Sequence, residues 1–101
     1  MSLKKQYNAT KPVCKVRFKL VKDHASTANQ VNLAGDFNNW NINSIPMKKQ
    51  KNGEFSVSVD LEKGREYQFR YLIDGRKWAN EPEADKQVQN EFQEMNSVVI
   101  V

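Results

Sequence analysis

The chain contains a single cysteine, Cys14, and a single histidine, His24. One thiol excludes an internal disulfide, and one thiol with one imidazole leaves no ligand set for a zinc site. Only four glycines are present, and none falls in a GxGxxG or GxxxxGK[ST] loop; HExxH is missing too. No apolar run approaches the roughly 18 residues that a membrane helix needs. The first twelve residues, MSLKKQYNATKP, start positive but lack the apolar stretch of a secretory leader, so a cytoplasmic location is expected. There is no internal repeat and no low-complexity segment.

What the chain does have is enough apolar material for one globular domain. Its 101 residues are 39% hydrophobic and 28% charged, with five Phe, three Tyr and two Trp. That is too apolar and aromatic for a disordered chain and too short for two domains. The formal charge is +4, but it is unevenly spread. Residues 1–22 hold seven basic side chains and no acid, while the remainder holds nine basic against twelve acidic groups. Residues 1–12 therefore read as a basic, flexible N-terminal arm and residues 13–101 as one domain with a slightly acidic body.

Period-two alternation dominates that domain. Val16, Phe18 and Leu20 alternate with Lys15, Arg17 and Lys19; Val31 and Leu33 lead to Gly35; Phe55, Val57, Val59 and Leu61 alternate with Glu54, Ser56, Ser58 and Asp60. Tyr67, Phe69, Tyr71 and Ile73 form a fourth run, and Val98 to Val101 a β-branched terminal one. Each pattern predicts a strand with one buried face. Val16, Phe18, Leu20, Leu33, Phe55, Val57, Val59, Phe69 and Val99 are the expected core. Asn52-Gly53 and Asp74-Gly75 favour tight turns with positive φ, Lys63-Gly64 suits a short connection, and Pro46 marks a break or an edge. Glu83 to Phe92 leaves room for one helical turn at most. Short strands every 8–12 residues predict an all-β antiparallel fold, a sandwich or a small barrel, of which the sandwich is preferred.

Catalytic chemistry finds little support in the pattern. The acids fall on outward strand positions or in turns, His24 follows Asp23 in a polar loop, and Cys14 reads as a small core hydrophobe. No catalytic residue, metal site or cofactor is expected. The two tryptophans are the informative residues. Trp40 ends Gly35-Asp36-Phe37-Asn38-Asn39-Trp40, and Trp78 follows Asp74-Gly75-Arg76-Lys77; neither belongs to an alternating core face. Two readings fit each of them. One is a lid packed over a sheet edge; the other is a platform on which the flat face of a sugar stacks while nearby amide and guanidinium groups bond its hydroxyls.

These residues resemble a known family. Val31 to Trp40 is similar to the G-[DS]-F-N-x-W signature of the glycogen-binding and isoamylase N-terminal carbohydrate-binding modules. Tyr67 to Gly75 resembles their Y-x-[FY]-[KR]-[FY]-x-[VI]-D-G strand and turn, and Asn96-Ser97-Val98-Val99 their closing N-[NS]-[VI]-[VI]. The resemblance spans residues 13–101. It implies an immunoglobulin-like, early-set sandwich of the kind found before glucan branching and debranching barrels, in the AMP-activated protein kinase β subunit, and in small stand-alone proteins. It also implies that Trp40, Trp78, Arg70 and Asn96 hold α-1,4-linked glucose units, with Phe92 reaching into the curved chain. Three positions depart from the pattern. Lys77 is an additional residue before Trp78, Glu94 replaces a small hydroxyl residue, and Arg70 replaces a lysine.

The function implied is a non-catalytic module for glycogen, starch or malto-oligosaccharides, serving a glucan-metabolising enzyme. Two alternatives remain open. One is a structural or protein-interaction domain of the same fold, with edge strands free for strand addition and a glycoside-hydrolase or kinase-type partner. The other is single-stranded nucleic-acid binding, which needs basic residues interleaved with aromatics along a groove. It is disfavoured because the positive charge is concentrated before the domain body.

Overall fold

The computed structural model describes residues 3–20 and 28–101; the loop expected around His24 lies outside them. The strands are β1 (Leu3–Tyr7), β2 (Val13–Leu20), β3 (Val31–Gly35), β4 (Lys48–Lys49), β5 (Phe55–Glu62), β6 (Glu66–Ile73), β7 (Lys77–Ala79), β8 (Lys86–Gln89) and β9 (Met95–Ile100), with one 3-10 turn at Asp36–Asn38. Among the described residues no helix is long and apolar enough to cross a membrane.

Two antiparallel sheets form, ordered β1-β2-β5-β4 and β3-β6-β9-β8. In the first, β2 and β5 pair over their full lengths, from Val13↔Glu62 to Leu20↔Phe55. Directly opposed residues share a face, so Cys14, Val16, Phe18 and Leu20 meet Phe55, Val57, Val59 and Leu61 on the core side. In the second sheet β6 is central. Its one side is taken by β3 (Gly35↔Phe69 to Val31↔Ile73), its other side first by β9 (Glu66 to Phe69) and then by β7 (Tyr71 to Ile73). The partner strand thus changes at Arg70. Phe18 meets Phe69 edge-on at 4.9 Å between ring centres and joins the two sheets, a geometry that adds about 0.5–1.5 kcal/mol beyond area burial.

All nine expected core positions face this interior, although Val57 and Val59 are only partly buried. Four expectations change. Residues 3–7, within the stretch read as a flexible arm, instead form β1 along β2. Leu3 is buried, and the inward Lys5 reaches Asp85 at 2.8 Å, an inward charge that guards an edge strand. The segment around Glu83 to Phe92 holds no helix but strand β8, whose sequence Lys-Gln-Val-Gln carries only one apolar residue to betray the alternation. Two short strands, β4 and β7, also lacked enough residues to show a period. The terminal strand begins at Met95, earlier than expected, because Asn96 and Ser97 face buried polar partners and break the apolar run.

The turns follow their residues. Asp74 and Gly75 both adopt positive φ (52° and 71°) between β6 and β7, the conformation that selects Asp-Gly. Pro46 bridges Asn32 along the outer edge of β3, flanked by Leu33 N–H donating to Ile45 O and Met47 N–H to Val31 O. Asp74 has a second duty: its Oδ1 accepts the Asn29 and Gln30 amides at 2.8 and 3.1 Å, anchoring the approach to β3. Those two backbone bonds hold its carboxyl below the usual 3.8. A lowered folded pKa gives stability that is present above the unfolded value and lost as pH falls through the folded one. Wild type should therefore exceed Asp74→Asn in urea-melt stability at neutral pH, and the gap should narrow below about pH 3.8. A gap independent of pH would contradict the assignment.

Candidate functional site

The outer face of the β3-β6-β9-β8 sheet carries a groove of about 750 Å³, lined by Trp40, Arg70, Trp78, Phe92 and Asn96 together with Gln68, Asn90 and Glu94 among others. All five residues singled out in the sequence are brought together there. β6 supplies the floor: its odd-numbered aromatics enter the core, so Gln68 and Arg70 must point out. β7 places Trp78 opposite Leu72. The additional Lys77 is accommodated as the opposite number of Ile73. Ala34 and Leu72 are buried on this outer face, outside the main core. A lid role and a platform role for the tryptophans are therefore compatible.

Trp40 is held by an unusual local structure. Asn39 and Trp40 both have positive φ, 56° and 58°, which suits Asn but is strained for a bulky residue, at about 1–2 kcal/mol. Three sets of bonds over-determine the conformation. Trp40 N–H donates to Gly35 O at 2.8 Å. Asn38 accepts from Gly35 N–H and donates to Leu33 O, Asn41 O and Ser44 Oγ. Asp36 acts as a clamp, with Oδ1 accepting the Trp40 indole N–H at 2.9 Å and Oδ2 the Gln68 amide at 2.8 Å. Gly35 is extended, yet only glycine fits: a Cβ there would lie 2.5 Å from Gln68 O and 2.8 Å from Phe69 Cβ.

Trp40 and Trp78 are 6.4 Å apart between ring centres and inclined at 67°. Trp78 is 36% exposed, and the Arg70 guanidinium lies 5.0 Å from its ring centre, within cation–π range. Arg70 Nη2 also donates to Glu94 at 3.0 Å, while its Nε is buried with no hydrogen-bond partner. Glu94, the departure from the family pattern, thus orients the arginine across the groove. Asn96 is buried at the floor, donating to Gln68 Oε1 at 3.0 Å and accepting from Asn90 at 3.2 Å. Asn90 Oδ1 in turn accepts the Phe92 and Glu94 amides, shaping the loop on which Phe92 stands 76% exposed.

Behind the floor, a buried polar cluster ties β7 to β9 where they share the side of β6. Tyr71 donates to Glu81 at 2.7 Å, Glu81 N–H to Ser97 Oγ, Ser97 Oγ to Asn80, and Asn80 to Met95 O. Burial first, and the Glu81 carboxylate second, push the Tyr71 phenol well above its ordinary 10.0, so it remains a donor at every working pH. Sequence reasoning missed Gln68, Asn90 and Asp36. Alternation on β6 would have placed Gln68 beside Arg70, and Asn90 carries the local signal of an Asn capping its own loop, but nothing local marks the reach of Asp36 to the Gln68 amide. Among the described residues no three His, Cys, Asp or Glu side chains are grouped to hold a metal ion, and Cys14 is fully buried.

Asp36→Ala should release the indole and the Gln68 amide together, lowering stability by about 1–3 kcal/mol. Near-ultraviolet circular dichroism should lose Trp amplitude while the far-ultraviolet strand signal stays. An unchanged aromatic signal would show that Asp36 does not fix Trp40.

The sequence model of the family described as the glycogen recognition site of AMP-activated protein kinase matches residues 18–101. No curated protein matches the chain. The matched segment runs from the middle of β2 through β9 and includes every residue named in the groove. The chain belongs to the family of glycogen recognition sites of AMP-activated protein kinase.

Proposed function

We propose that the domain is a non-catalytic carbohydrate-binding module for α-1,4-glucans, that is glycogen, starch or malto-oligosaccharides. The observation that carries this reading is the pair of tryptophans over one groove, 6.4 Å apart and inclined at 67°. Indole faces suit the apolar faces of sugar rings. Two inclined faces suit a chain that turns from one glucose to the next, as α-1,4 linkages require, better than a flat ribbon. Trp40 and Trp78 stack on successive units in this reading. Arg70 retains donors beyond the one given to Glu94, and Asn96 keeps a second N–H and a second lone pair for hydroxyls. Phe92, on its exposed loop tip, packs into the concave side of the glucan. A cytoplasmic location and service to a glucan-metabolising enzyme belong to the same proposal, and membership of a recognition-site family supports its non-catalytic character.

Base-stacking aromatics contribute roughly 1–3 kcal/mol each, a range used here by analogy. Trp40→Ala and Trp78→Ala should each weaken maltoheptaose binding about tenfold or more, since about 1.4 kcal/mol is one decade. Calorimetry and retardation in glycogen-containing gel provide the readouts. Added salt should change little, because the ligand is neutral and releases no counterions. If the intact protein shows neither heat nor Trp fluorescence change at millimolar maltoheptaose, the proposal fails and the interaction-domain reading takes its place.

A further inference from the structure

The opposite face of the sandwich has a different character. On the outer side of the β1-β2-β5-β4 sheet, cross-strand pairing sets four rungs: Lys19, Ser56 and Lys48; then Lys4, Arg17 and Ser58; then Gln6, Lys15 and Asp60; and at the end Val13 with Glu62. Five of these eleven side chains are cationic and two are acidic, of which Glu62 is already paired with Arg65; Val13 is the one aliphatic member, and none is aromatic. Lys4, Lys15, Arg17 and Lys48 are exposed, and among the described residues none of the four has an ion-pair partner; Lys19 alone sits 3.6 Å from Glu54. One margin of the face opens into a polar hollow of about 340 Å³ lined by Tyr7, Asn8, Lys11, Lys15 and Asp60 among others.

We propose that this face docks on an anionic lipid surface. Sheet geometry spaces the cations by about 4.8 Å across strands and about 6.7 Å along them. The cations are thus spread over one sheet face and not gathered at a single point. Laterally mobile acidic headgroups can gather under such a grid, each cation near the surface adding its increment of attraction. The hollow beside Lys11 and Lys15 can admit one headgroup. A single strand is held by stacking aromatics, which the face lacks; a duplex would be held through its phosphates alone, and its fixed phosphate spacing cannot rearrange under the cations as mobile headgroups can. The tryptophan groove lies on the far side of the sandwich, so the lipid surface leaves it open.

The test is co-sedimentation of the intact protein with phosphatidylcholine vesicles, with and without phosphatidylserine, at low and high salt. Binding should require phosphatidylserine and be lost at high salt as screening shortens. It should fall about fivefold per cation removed: about 25-fold for Lys15→Ser with Arg17→Ser, and about fivefold for Lys48→Ser, which lies on another strand should the double variant fold poorly. Both variants should keep wild-type retardation in glycogen gel, whatever that retardation is. Equal binding to pure phosphatidylcholine, vesicle binding unaffected by these substitutions, or tighter capture by duplex DNA or polyglutamate than by the acidic vesicles would overturn the proposal.

Discussion

Strand β6 has to satisfy two neighbours on one of its sides. β9 takes its hydrogen bonds up to Phe69 and β7 takes them from Tyr71 onward, while β3 occupies the other side. At the change of partner stands Arg70, and from that constraint most of the site follows. The period-two pleat sends Tyr67, Phe69, Tyr71 and Ile73 into the core and leaves Gln68 and Arg70 outside. One strand thus supplies both the anchor of the sandwich and the floor of the groove. The diverging strands bring Trp78 from one direction and Asn96 from the other. They are kept from parting by the chain of hydrogen bonds that runs from buried Glu81 through Ser97 and Asn80 to Met95 O. A hydrogen-bonded network of this kind, buried at Tyr71, Glu81 and Ser97, favours one arrangement.

Rigidity at the groove is bought locally. Trp40 occupies a backbone region that bulky residues avoid, and it stays there because Gly35, Asp36 and Asn38 leave it no alternative. Asp36 links that loop to β6 through the Gln68 amide, so one indole plane is fixed relative to the floor. Trp78 is fixed by the β6–β7 ladder and by the Arg70 guanidinium against it. Ordering these side chains before any ligand arrives lowers the entropy that binding must otherwise overcome. Positive-φ strain offset by a dense set of bonds is characteristic of sites where geometry matters more than local stability.

The legible part of the fold was the part written in alternation. β2, β3, β5 and β6 have apolar residues at every second position, and their core faces followed from that alone. β8 was hidden because its residues are nearly all polar, β4 and β7 because two or three residues cannot show a period. β1 was obscured by its lysines: one of them, Lys5, faces inward, and its partner Asp85 lies eighty residues away. The groove divides in the same way. Trp40 and Trp78 stood out as aromatics away from any core face, and Arg70, Asn96 and Phe92 entered through the family resemblance. The hold of Asp36 on β6 and the Glu94–Arg70 pair depend on contacts across 32 and 24 residues, which no local pattern encodes, whereas Asn90 bonds within its own loop, to residues two to six positions on, and only the fold gives that loop a place in the groove.

The central claim is that one face of one sheet, defined by the β6 fork, receives an α-1,4-glucan. Titrating isotope-labelled protein with maltoheptaose while following its amide and indole N–H spectrum tests it residue by residue. The Trp40 and Trp78 indole signals should move together with the amides of Arg70, Phe92 and Asn96, and those of Lys4, Lys15, Arg17 and Lys48 on the opposite face should stay in place. Shifts centred on the opposite sheet, or a spectrum unmoved at saturating sugar, would contradict it.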